Sequence, residues 1–169
     1  SHLHVPIQSG SDNILKSMNR KYDIAYFKEK TKLIKSLRDD VNLTTDLIVG
    51  FPGETDGDFY ETKQNLIDIG FSTFPYSIRR GTKASTMIQV NDTVKKNRTH
   101  EILELSDHLE HEYYEKYIGK VVSVLVEDNY SGFTSNYIKV HFDEYQENNK
   151  FVDCLITEID GITVKGKVK

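Results

Sequence analysis

The sequence predicts an α/β domain followed by a small all-β barrel. Three observations carry this. Strand-like and helix-periodic segments alternate through residues 1–77, one long helical pattern fills 93–118, and four short strand patterns follow, the last two joined by Asp160-Gly161. Alternating strands and helices imply a parallel sheet joined by crossovers, and closely spaced short strands imply a small barrel of the OB-like kind.

Residues 2–9 are β-prone at Leu3, Val5 and Ile7, and Ser9-Gly10-Ser11 breaks that strand. Ser11 is placed to cap a short helix carrying Ile14, Leu15 and Met18. The spacing of Phe27, Thr31, Ile34 and Leu37 predicts a second helix over 24–38. Val41 to Val49 reads as a strand. Thr55-x-x-Asp58 is a capping-box pattern with Asp in place of Glu, and the helix it opens carries Phe59, Leu66 and Ile69 before Gly70 stops it. Phe71 to Ser77 is the third strand, which Pro75 should make irregular. Three such strands make half a barrel or half a sheet, with an open edge. The helix over 93–118 presents Ile102, Leu105, Leu109, Tyr113 and Tyr117 as a stripe and ends at Gly119. Strands follow at Val121–Val126, Tyr137–Phe142, Phe151–Ile159 and Ile162–Val168, with Asp-Gly marking a hairpin between the last two.

Of the 169 residues, 37% are hydrophobic and 28% charged, a balance that supports a core and is too charged for a membrane protein. No apolar run nears the roughly 20 residues of a membrane helix, and SHLHVPIQSG has neither the basic flank nor the apolar centre of a signal peptide. Cys154 is the single cysteine, which excludes an internal disulfide and a multi-cysteine metal or cluster site and points to a reducing cytoplasm. The net charge of −4 divides into +1 over residues 1–90, −3 over 91–118 and −2 over 119–169. With no strongly basic segment, any nucleic-acid contact must be local or shared with other parts.

The turn IVGFPGET, residues 48–55, leaves a parallel strand at its C-terminal end, the edge where α/β sheets bind ligands. Gly50 and Gly53 let backbone approach a ligand, Phe51 offers an apolar face, and Glu54 can fix the turn by accepting backbone N–H groups. A tight turn with no ligand is the plainer reading. Gln8 and Ser9 stand at another strand end and suit ribose hydroxyls or a carboxylate, and Arg20 can pair with a carboxylate. Read plainly, the first two end a strand and the third is a solvated charge. His2 and His4 are too few for a structural zinc site. Arg79, Arg80 and Lys83 can meet phosphates or form a solvated loop. Tyr130, Phe133 and Tyr137 near Lys139 suit base stacking with backbone neutralisation, although aromatics in a small barrel more often fill its core. There is no P-loop, no GxGxxG, and no defensible nucleophile–His arrangement.

HLHVPIQSGS…MNRKY, TDLIVGFPGET and FPYSIRRGT, in this order, resemble the second half of the radical S-adenosylmethionine domain of the methylthiotransferase family. YSGFTSNYIKV resembles its C-terminal TRAM domain, a small RNA-binding barrel. The resemblance implies the C-terminal half of a TIM-like (β/α) barrel over 1–92, a connecting helix over 93–118 and a TRAM domain over 119–169. FPYS with HLHVPIQSG is most similar to the branch acting on threonylcarbamoyladenosine in tRNA. The isopentenyladenosine branch is the runner-up, and the ribosomal-protein branch differs by an acidic residue near the position of Arg79. The resemblance implies S-adenosylmethionine as cofactor, and two [4Fe–4S] clusters in the full-length parent. Together they abstract hydrogen from carbon 2 of the modified adenine and insert sulfur there. Gln8, Ser9 and Arg20 would hold the methionine and ribose parts. Asp46, Gly50, Phe51, Glu54 and Tyr76 would border the adenine or the substrate. Arg79, Arg80, Lys83 and the barrel aromatics would meet tRNA.

Two departures from the family stand out. The cluster cysteines, a C-x-x-x-C-x-x-C run and further ones, are absent, so this chain alone is expected to hold no cluster and to be inactive. GFSTFPYS is also a few residues shorter than the family's strand leading to FPYS, which would shift Tyr76. The expected partners are tRNA, the N-terminal domains of the same protein and a second copy of the chain; a membrane is not expected. A tRNA-binding module without catalysis is the alternative.

Overall fold

A computed structural model of the chain describes residues 2–76 and 86–169, with 72–76 described for their backbone. Among these residues no helix is long and apolar enough to cross a membrane. The chain divides into two compact units. One comprises Leu3–Asp39 with Leu43–Ser106; the other is Asp107–Lys169 with short segments at the N-terminus and Asp40–Asn42.

In the α/β unit, β1 (His2–His4), β2 (Asn42–Ile48) and β3 (Ser72–Tyr76) lie in the sheet order β1-β2-β3. β1 is shorter than expected. Beyond it the chain stays beside β2 through Val5 N–H to Thr44 O (2.8 Å) and a parallel bridge of Gln8 with Leu47. β3 runs parallel to β2 from Thr44↔Ser72 to Ile48↔Tyr76. Pro75 pairs opposite Leu47 without a break; a proline is tolerated on an edge strand, where its missing N–H need not face a neighbour.

α1 (Asp12–Ser17) buries Ile14 and Leu15. Ser11 occupies its N-cap position, but its hydroxyl donates to Asp58 Oδ1 (2.8 Å) instead of capping. α2 (Ile24–Leu37) starts at Asp23, whose carboxylate accepts from Tyr26 N–H, and buries Ile24, Phe27 and Thr31. The expected apolar face does not reach the helix end, because Leu37 is 76% exposed. The capping box forms at α3 (Asp56–Ile69), with Thr55 and Asp58 bonding reciprocally. Gly70 closes that helix in the left-handed region at φ 70°. Ile7, Leu47, Leu66 and Phe71 are fully buried.

The long helix α4 runs Asp92–Glu115, three residues short of the expected end. Asn91 starts it, its side chain accepting from Thr93 N–H (2.9 Å). The buried positions are Arg98, Ile102, Ser106, Leu109 and Tyr114, so the inward stripe starts earlier than the apolar pattern suggests and includes a cation. The division between the two units falls within this helix.

The second unit contains a closed five-stranded barrel in the order β4-β5-β6-β8-β7, built from β4 (Val121–Asp128), β5 (Ser131–Thr134), β6 (Lys139–His141), β7 (Phe151–Asp160) and β8 (Thr163–Val168). β6 and β8 pair in parallel; the other neighbours are antiparallel. Alternate residues point inward, and the core is mainly aliphatic, Val124, Val126, Ile138, Val140, Ile156 and Val164, joined by Phe142, Tyr114 of α4 and the Cys154 thiol. β5 was not foreseen, and the expected strand at Tyr137–Phe142 is shorter because Tyr137 turns at φ 67°. Gly132 in β5 must be a glycine, since a Cβ there would stand 2.2 Å from the Leu125 carbonyl oxygen. The predicted hairpin forms, but shifted by one residue: Asp160 pairs with Thr163, and the turn is Gly161-Ile162, with Gly161 at φ 58°.

Candidate functional site

In the α/β unit the candidate residues gather at the C-terminal end of β2. Gln8 has a left-handed backbone, φ 68°, which costs a non-glycine residue about 1–3 kcal/mol and persists only where its surroundings over-determine it. They do: its N–H donates to Asp46 O (3.0 Å) and its carbonyl accepts from Ile48 N–H (2.9 Å). This aims the Gln8 side chain at the strand end. Arg20, exposed just after α1, donates from Nη2 to Gln8 Oε1 (3.2 Å). A guanidinium carries five N–H donors, so the others are available to an anion. Ser9 is 1% exposed, and its hydroxyl accepts from Ser11 N–H (3.2 Å). Asp46 is half-exposed and lies 3.4 Å from His4 Nε2.

Two residues past β2, Gly50 takes φ 69° and its N–H donates to Glu54 Oε2 (2.9 Å). Glu54 N–H donates to Phe51 O (2.9 Å), and Gly53 takes φ 87°, which closes the turn. Phe51 is buried. Glu54 is buried too, and the same Oε2 accepts from Arg98 Nη1 at 2.7 Å. Burial pushes the Glu54 carboxyl above its ordinary range, while the Gly50 N–H and the Arg98 cation pull it back. Arg98 also donates to Glu54 O (3.2 Å) and from Nη2 to Asp56 Oδ1 (2.6 Å), and its guanidinium lies 5.2 Å from the Phe59 ring centre. Tyr76 ends β3 opposite Ile48. Arg79, Arg80 and Lys83 lie outside the described residues. The structure thus joins Gln8, Arg20 and Asp46 by hydrogen bonds at one strand end and puts Gly50, Phe51 and Glu54 in the turn that follows.

On the barrel, strand register aligns Phe151, Leu125, Phe133 and Lys139 across β7, β4, β5 and β6 on the outer face. The Phe133 and Tyr137 rings stack at 4.8 Å and 28°. Phe151 is 75% and Tyr137 57% exposed. Both rings, with Leu125 and Val122, line a groove of about 580 Å³. Tyr130 stands apart, edge-on to Tyr145 (6.2 Å). The expectation that most of these rings fill the core is not met by Tyr130, Phe133 and Tyr137; the aromatic places inside are taken by Phe142 and Tyr114.

The radical SAM superfamily model matches residues 1–66. A threonylcarbamoyladenosine tRNA methylthiotransferase of Bacillus subtilis is 41% identical over 155 residues, covering 84% of this chain and 34% of that protein. Two proteins named tRNA-2-methylthio-N(6)-dimethylallyladenosine synthase also align. That of Xylella fastidiosa (strain 9a5c) is 36% identical over 99% of this chain and 36% of its own length; that of Desulfitobacterium hafniense is 38% identical over 99% and 40%. The chain belongs to the radical SAM methylthiotransferase family. It spans between a third and two fifths of the length of these relatives.

Radical SAM methylthiotransferases imply two kinds of cofactor, and the residues present fit one of them. Gln8 and Arg20 offer a neutral amide and a carboxylate-binding cation beside the glycine-containing turn, a donor set suited to a nucleoside with an amino-acid tail. They do not fit an iron–sulfur cluster, since the single cysteine, Cys154, is enclosed in the barrel with its thiol pKa raised by burial. Sequence reasoning missed Arg98 and Phe151. Arg98 follows two lysines on a charged helix and resembles a solvated charge; its one signal is its spacing from Ile102. Phe151 was detectable from β alternation, being out of phase with Val152 and Cys154.

Proposed function

We propose that this chain is part of a tRNA methylthiotransferase that modifies carbon 2 of threonylcarbamoyladenosine next to the anticodon. In this reading residues 1–92 are the C-terminal part of a TIM-like radical SAM domain, 93–118 connect, and 119–169 are a TRAM domain. The observation that carries it is the left-handed Gln8, pinned to β2 and bonded to Arg20 beside the Gly50–Glu54 turn. Arg20 binds the methionine carboxylate, Gln8 orients the amino-acid and ribose end, and the Gly50–Glu54 turn borders the adenine end of the site. S-adenosylmethionine and the clusters of the parent supply the radical and sulfur-insertion chemistry. The protein contributes binding, orientation and exclusion of water. The Phe151 and Phe133 rings, with Leu125 between them and Tyr137 backing Phe133, present a stacking surface to unpaired bases of the cytoplasmic tRNA, with Lys139 beside them for a phosphate.

A second reading has dimethylallyladenosine, that is isopentenyladenosine, as the substrate; the relatives so named cover 99% of the chain. Nucleoside mass spectrometry decides between them. The parent gene is expressed in cells lacking both modifications, and their tRNA is digested. Methylthiolated threonylcarbamoyladenosine is expected. Methylthiolated isopentenyladenosine alone establishes the second reading, and neither product refutes both.

A further inference from the structure

We infer that Arg98 is a positioning residue: from α4 it sets the backbone of the Gly50–Glu54 turn through Glu54. The inference rests on the reading that this turn borders an adenine nucleoside. Gly50 N–H and Arg98 Nη1 converge on one carboxylate oxygen, Glu54 Oε2, at 2.9 and 2.7 Å. Both charged side chains are almost fully enclosed, 6% exposed for Arg98 and 2% for Glu54. A carboxylate in that setting has one low-energy place to be, and the Gly50 N–H is tied to it. Arg98 fixes the other end of the turn by donating to the Glu54 carbonyl and to Asp56. One helical turn earlier, the Lys95 stem lies directly over Gly50, where a Cβ would stand 2.5 Å from Lys95 Cγ. Helix α4 therefore covers the turn with a stem and clamps it with a fork. Lysine retains the charge but cannot donate in parallel to the carboxylate, the carbonyl and Asp56.

A structural staple and a positioning residue differ in what they move. Amide exchange at Gly50 reports the turn, and exchange at Ile48, bonded to Gln8 O, reports the strand before it. Both are followed by NMR in the 169-residue chain and in Arg98→Lys, alongside titration with S-adenosylhomocysteine. The expected result is Gly50 exchange at least about tenfold faster while Ile48 is unchanged, and S-adenosylhomocysteine bound about tenfold more weakly by the folded variant. Unchanged Gly50 exchange, equal acceleration at both amides, or unaltered binding beside a faster Gly50 overturns the inference. If the unaltered chain does not bind S-adenosylhomocysteine, the nucleoside reading fails, and the ratio of the two exchange rates still decides whether Arg98 holds the turn. Should Arg98→Lys not fold, Glu54→Gln, which keeps an oxygen for Gly50 and loses the charge, is read by the same ratio.

Discussion

The two units reach a defined structure by different routes. The barrel closes on itself, so every strand has two neighbours, and an apolar core fills it. The α/β unit has three strands in a row, with β1 and β3 each holding one described neighbour, and its strand ends are set by charged side chains. Glu54 and Arg98 fix one turn, and Asp58 gathers Ser11, Asn13 and Thr55 at the start of α3. A backbone ladder stabilises many residues a little. A buried charge fixes a few residues firmly and leaves a large penalty when its partner is lost. The regular unit suits a binding face laid over strands, and the charge-set unit suits a site whose backbone must stay in one place.

The largest break in this comparison is Glu54→Ala. It leaves Gly50 N–H without its acceptor and Arg98 without its buried partner, so the α/β unit should lose about 3–5 kcal/mol. Hydrogen exchange measured separately in the two units should show the loss there and leave β4–β8 unchanged; equal losses in both would mean that the units are not independent.

The barrel's counterpart is Asn136, which donates to both Tyr113 and Tyr117 hydroxyls at 2.7 Å and accepts from Thr134 at 2.6 Å. Burial raises the pKa of both Tyr113 and Tyr114 far above the tyrosine range, so these phenols stay neutral donors and acceptors. Asn136→Ala should cost about 1–3 kcal/mol, confined to the barrel and read from its denaturation midpoint.

A smaller effect comes from acid. Burial raises the Asp58 pKa, but hydrogen bonds from Thr55, Ser11 and Asn13 outweigh it and hold it below the usual carboxyl value. A carboxyl depressed on folding adds stability above its unfolded pKa of about 3.9, and that stability fades as pH falls through the folded value. Glu54 has the opposite sign: its raised folded pKa means that ionisation opposes folding, and protonation on acidification relieves that cost. Unfolding of the α/β unit followed down from neutral pH should show a shallower acid limb in Asp58→Asn than in the unaltered chain. Identical limbs would mean that Asp58 carries none of the acid sensitivity.

Legibility in the sequence followed the same division. Local devices could be read: the Thr55–Asp58 box, the Gly70 stop and the hairpin at Gly161 each act within a few residues. The order of strands and helices was readable for the same reason. Long-range partners were not. Arg98 meets Glu54 across 44 residues, and nothing in a run of helical charges marks which cation turns inward. Ser11 was legible as a helix start, yet its hydroxyl is drawn 47 residues away to Asp58. β5 was invisible because Ser131–Thr134 is four residues with a glycine inside, too short to show alternation. At the rim, Gln8 could be named as a strand-end amide, but its positive φ exists only because β2 holds it on both sides.

Cys154 has one more consequence. It is the only sulfhydryl in the chain, lies wholly inside the barrel wall, and touches the place where a Gly166 side chain would begin. A labelling reagent in the surrounding solution can find it only in the moments when the strands part. The rate of its modification under native conditions is therefore a clock for opening of the barrel, already built into the unaltered protein.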